Sequence, residues 1–190
     1  MADVADWASL VVTLTLGVAG FAVAGNIGRD VKIRLSERRL ASYERLWGLM
    51  RAASPYADSL DEQGRHSLHE AFTNWYYANG DGMLLERHSR SVYFEVKDNL
   101  TRPVGELTPE LSRRRIERLK GAEREQARGF LVQRQLSLLR TQLKSDLAIF
   151  GKPYGPPIGA EDRAFLEHCG VRTGRQPWRA EGRVRDSQTI

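Results

Sequence analysis

AEREQARGFLVQRQLSLLRTQLKSDLAIF, residues 122–150, carries the clearest apolar stripe in the chain. Val132, Leu136, Leu139, Leu143, Leu147 and Phe150 recur at steps of three and four, which places them on one face of an α-helix. Such a stripe needs other apolar faces to bury it. Between Arg29 and Phe150 no run alternates with period two between turn residues, so those faces are expected to be helical. The fold class expected is all-α: one N-terminal transmembrane helix, a cytoplasmic bundle of about four helices, and a mobile C-terminal tail.

Working back from this helix, Gly121 separates it from a segment that starts at Thr108-Pro109 and runs through Leu111, Ile116 and Leu119. A helix after Ser89 places Val92, Tyr93, Val96 and Leu100 on one face. Before it, a helix from Ser59 to Ala78 is expected to open with Ser59 as N-cap and Glu62 completing a capping box. Asn79-Gly80 suits a left-handed end to that helix. The first helix of the bundle, about Val31 to Ala53, spaces Leu40, Tyr43, Trp47 and Met50 at three, four and three, a heptad seam. Pro55 stops it.

Between Asp6 and Arg29 no residue is charged, and Trp7–Gly28 reads WASLVVTLTLGVAGFAVAGNIG. These residues reach roughly 33 Å at a helical rise of about 1.5 Å, enough for a hydrocarbon core of about 30 Å. A basic flank of Arg29, Lys32, Arg34, Arg38 and Arg39 follows, net +3 with Asp30 and Glu37, whereas Asp3 and Asp6 lie on the other side. The positive-inside rule then puts residues 1–6 outside and 29–150 in the cytoplasm of a cell-membrane protein. A cleaved signal peptide fits less well, because that needs a basic n-region, and a buried soluble helix is the remaining alternative. Ser9, Thr13, Gly17, Gly20, Ala24 and Gly28 follow steps of four and three, a small-residue stripe of the kind that packs two membrane helices closely.

Beyond the long helix, residues 151–190 hold four of the seven prolines. They are expected to form a basic tail with one short helix near 161–168, and Trp178 falls in the tail. The whole chain of 190 residues carries 29 Lys+Arg against 24 Asp+Glu, net +5. One cysteine, Cys169, excludes an internal disulfide framework and a cysteine-rich zinc module.

Catalytic signals are sparse. His66 and His69 stand one turn apart and could ligate a metal, but the order is not H-E-x-x-H, and a solvated helix face explains them better. Gly80-Asp81-Gly82 places an acid where a phosphate cradle needs donors, so it reads as a turn. No cofactor motif and no metal set is read. Trp75, Tyr76 and Tyr77 cannot share one helical face, which makes them a candidate partner surface as well as candidate core. Arg113, Arg114, Arg115 and Arg118, with the flank from Arg29 to Arg39, are candidate contacts for anionic lipid headgroups or phosphate. The function expected is a non-enzymatic, membrane-anchored scaffold or adaptor that self-associates or docks another membrane protein. The alternatives are a membrane-tethered nucleic-acid or envelope-regulatory binder, less favoured, and remotely a metal-dependent enzyme at His66/His69.

Overall fold

The computed structural model describes residues 29–54, 59–147, 157–174 and 177–180, in two units, Met1–Ala41 and Ser42–Ile190. The uncharged stretch 7–28, with its small-residue stripe, lies outside the described residues. Among those that are described, no helix is long and apolar enough to cross a membrane. In the first unit, residues 29–41 are helical and largely exposed, Val31, Ile33, Leu35 and Leu40 included.

The second unit is helical, with six α-helices among its described residues rather than about four. Helical residues 42–49, here α1, bury Tyr43 and Leu46 and pass into a 3-10 turn, Met50–Ala53, that buries Met50. The expected seam is therefore shifted. Leu40 is 46% exposed, and Leu46 takes the buried place assigned to Trp47, which is half-buried. Both stripes share Tyr43 and Met50 at helical spacing, so periodicity cannot choose between neighbours 46 and 47.

Helix α2, Glu62–Tyr77, is capped by Asp61, whose carboxylate accepts the Gly64 N–H at 2.7 Å. This corrects the Ser59/Glu62 capping box. Ser59 and Leu60 instead pass over α5 at Gly129, where a side-chain Cβ would lie 2.6 Å from the Leu60 carbonyl oxygen. The chain needs those two residues for the crossing, so the helix starts two positions later. At its far end Asn79 and Gly80 take positive φ values of 52° and 73°, the left-handed turn expected there.

Helix α3, Arg87–Thr101, buries Val92, Tyr93, Val96 and Leu100 and packs mainly on α5 and α2. Tyr93 stacks on Phe72 with ring centroids 5.3 Å apart and donates its hydroxyl hydrogen bond to the Phe72 carbonyl at 2.6 Å. An aromatic hydroxyl in this position satisfies the buried polar atom that a bare stack would leave. Helix α4, Glu110–Glu117, follows Pro109 and buries Ile116, while Leu111 stays half exposed.

Helix α5, Gly121–Asp146, starts one residue before the expected boundary and stops short of Phe150. Its stripe of Val132, Leu136, Leu139 and Leu143 is buried throughout. Asp146 closes it by accepting the Tyr43 hydroxyl at 2.8 Å. Residues 148–150 lie outside the described residues.

The greatest departure from expectation concerns residues beyond Gly151. Helix α6, Ala160–His168, buries Phe165 and Leu166, and the chain then returns to bury Val171 and Trp178. A two-residue strand β1, Pro157–Ile158, pairs in parallel with β2, Arg179–Ala180. Trp178, expected in a mobile tail, is 1% exposed and donates its indole N–H to Gln142 at 3.1 Å. Burial of a large aromatic supplies the ordering free energy that a Pro/Gly-rich composition lacks. Residues 181–190 lie outside the described residues.

Candidate docking surface

His66 and His69 both sit on α2, the first exposed and the second half-buried. Partial burial, with Lys97 nearby, lowers the His69 pKa below its ordinary value. Among the described residues no group of three His, Cys, Asp or Glu side chains is placed to hold a metal ion. Cys169 is buried, and that burial, with the Glu95 charge, pushes its thiol up to about 12. It is a protonated thiol at neutral pH. Asp81, in the glycine-flanked turn, is buried and engaged by the Arg45 guanidinium through two hydrogen bonds of 3.1 and 2.6 Å. That pairing raises the Arg45 pKa further and leaves no room for the phosphate reading of the turn.

The aromatic trio separates into three environments. Trp75 is core and donates to the Ser42 carbonyl at 3.2 Å. Tyr76 is half-buried, stacked between Tyr93 and Phe94. Tyr77 is 76% exposed and touches the Tyr76 ring edge-on. Trp75 therefore leaves the partner surface proposed for the trio, because its indole fills the space between α1 and α3.

The arginines of α4 are matched by acids to a degree that sequence did not show. Arg113 and Arg114 both reach Glu110, and Arg115 reaches Glu161 at 3.0 Å. Arg118 is exposed, as are Arg29, Lys32, Arg34 and Arg38; Arg39 is half-buried. Beside α4, between α5 and α6, runs a groove of about 560 Å³. Leu111 and Phe130, each about half exposed, stand at its rim over Leu131, Leu138 and Phe165. Arg134 crosses it to Asp162, held at the groove wall by two parallel hydrogen bonds. An apolar floor with its charges internally neutralised suits an apolar or amphipathic segment better than a polyanion.

Two further arrangements carried no sequence signal. Asn99 and Gln135 are buried between α3 and α5 and bonded to each other at 3.0 Å. Both also bond Thr108, which links them to Glu95 and Arg102. This network satisfies polar groups that would otherwise be stranded in the core. Secondly, Trp47, placed in the expected seam, carries the Arg140 guanidinium 4.2 Å from its ring centroid and the Lys144 ammonium at 5.1 Å. The apolar pattern around residue 140 predicts only an outward-facing position, whereas the indole comes from a distant helix.

In comparisons with protein-family models, with curated proteins and with solved structures, nothing matches this chain, so its reading rests on its own residues and geometry.

Proposed function

We propose that this protein is a single-pass membrane protein whose helical domain docks a partner or a second copy of itself. Its N-terminus would lie outside the cell membrane and the domain in the cytoplasm. The observation that carries the reading is the uncharged Trp7–Gly28 stretch with acids on one flank and five cations on the other. The small residues from Ser9 to Gly28 would let two such helices approach, and close packing is what drives helix association in lipid. The helical domain offers a groove rimmed by exposed Leu111 and Phe130, features of a surface that receives a partner. No catalytic role is proposed for its side chains. The nucleic-acid alternative draws less support, since Arg113, Arg114 and Arg115 already face Glu110 and Glu161.

The test is extraction and mass. The full chain should stay with membranes through alkaline carbonate and appear in detergent as a defined oligomer by light scattering. Replacing Gly20 and Ala24 together by Ile should lower the crosslinked dimer severalfold. Release by carbonate would end the anchor reading, and an unchanged crosslinking pattern would end the role of the small-residue stripe.

A further inference from the structure

Most arginines of the helical domain have an acid to themselves. Arg45 holds Asp81, Arg65 holds Glu125, Arg102 holds Glu95 and Asp98, and Arg134 holds Asp162. Arg140 and Lys144 break this habit. They stand four residues apart on α5, a spacing at which like charges repel. Among the described residues neither has an ion pair; both lie over the same indole, that of Trp47. The two carboxylates nearest in sequence are turned to other tasks. Asp146 accepts from Tyr43 and Gln142, and Glu44, exposed, acts on Arg45.

Stability alone does not account for two cations there. One cation over the ring already supplies the favourable contact, and the second adds repulsion from its neighbour. Burial of Arg140 against the ring lowers its pKa, with no acid offsetting that cost. A guanidinium lying over an aromatic ring keeps its N–H edge available, and that edge is a fork matched to a carboxylate. A second cation one helical turn along asks for a second anion at the same interval.

We infer that Trp47, Arg140 and Lys144 form a docking face for an acidic segment of a partner protein, one that presents two carboxylates about a helical turn apart. This rests on the docking reading of the domain and names the partner's chemistry. The face supplies what such a segment needs: an aromatic floor, a bidentate donor and a point charge beyond it. Because the cations are already held by the ring, less side-chain freedom is lost when the segment binds.

The experiment uses the full chain in nanodiscs of neutral phosphatidylcholine. The probe is a fluorescein-labelled, alanine-based helical peptide with two glutamates at i and i+4, followed by fluorescence anisotropy. Arg140→Glu with Lys144→Glu should weaken binding about tenfold, since it exchanges attraction for repulsion. Arg87→Glu with Arg118→Glu makes the same change of net charge at other exposed positions and should weaken it less than about twofold. A peptide with lysines in place of the glutamates should bind the Arg140→Glu, Lys144→Glu chain better than the wild type. That reversal also shows that the doubly substituted chain is folded.

Equal losses in the two double variants would overturn the assignment, because the effect would then be net charge alone. So would dependence on Arg140 and Lys144 of binding to phosphatidylserine nanodiscs or to a DNA duplex, with the acidic peptide unbound. A peptide that binds but ignores both residues would remove this face and leave the docking reading standing. Failure of the anchor shows separately, as a chain that does not co-elute with the discs, and the titration is then read in free solution.

Discussion

Two tryptophans meet the last turns of α5 in opposite ways. Trp178 is sealed in the core, with its indole N–H donated to Gln142. Trp47 leaves its ring face at the edge of the domain and covers it with Arg140 and Lys144. Residue 142 points away from the stripe shared by 140 and 144, so one helix divides the two indoles. The comparison separates two uses of the same side chain. A large aromatic with its polar handle matched closes a core, whereas one that gathers uncompensated charge forms a surface.

The strongest attempt to break that comparison is truncation of both rings. Trp178→Ala should cost about 3–5 kcal/mol, the range for deleting a buried large aromatic, and lower the urea midpoint accordingly. Trp47→Ala should cost about 1 kcal/mol, the size of a partly exposed cation–ring contact. Equal losses would show that the two sites do not differ. A finer test keeps the ring and removes its acceptor. Gln142→Leu strands the buried Trp178 N–H and should cost about 1–3 kcal/mol in the same titration, with no change in peptide binding at Trp47.

The smallest effect concerns Cys169, beside the Trp178 side of the core. Its thiol is raised to about 12, so the folded state binds a proton that the unfolded chain releases near its ordinary value. Stability from this group is therefore fully present below the unfolded pKa and is lost as pH rises toward 12. At pH 8 a disulfide reagent should label far less than one thiol per folded chain and one per chain in guanidinium. Rapid labelling of the folded chain would mean that the 157–180 region does not hold the core closed.

Those elements whose signal is local were legible in the sequence. The stripe of α5, the face of α3 and the left-handed turn at Asn79-Gly80 all follow from spacing or from one residue's backbone preference. Errors came where a distant element decides. Asp61 rather than Ser59 caps α2 because residues 59 and 60 are needed to cross α5. Leu46 rather than Trp47 enters the core because two overlapping helical stripes fit equally well until a partner is present. Trp178 was lost in a Pro/Gly-rich composition, although one aromatic suffices to fix a segment when a pocket waits for it. The docking face was invisible for the same reason. Arg140 and Lys144 are legible as an unfavourable like-charge pair, but the indole beneath them is brought from another helix by the fold.

Gly129 has a consequence for how distant kin of this chain could be found. The crossing of Ser59 and Leu60 leaves no space for even one methyl group at that position. Surface positions of such a domain can drift without limit, and its core positions can trade Leu for Ile or Met. Glycine at the crossing cannot be traded while the connection runs there. A signature of glycine, then apolar residues 3, 7, 10 and 14 positions later, as Gly129 precedes Val132, Leu136, Leu139 and Leu143, should therefore outlast overall resemblance. It marks the architecture where identity has faded.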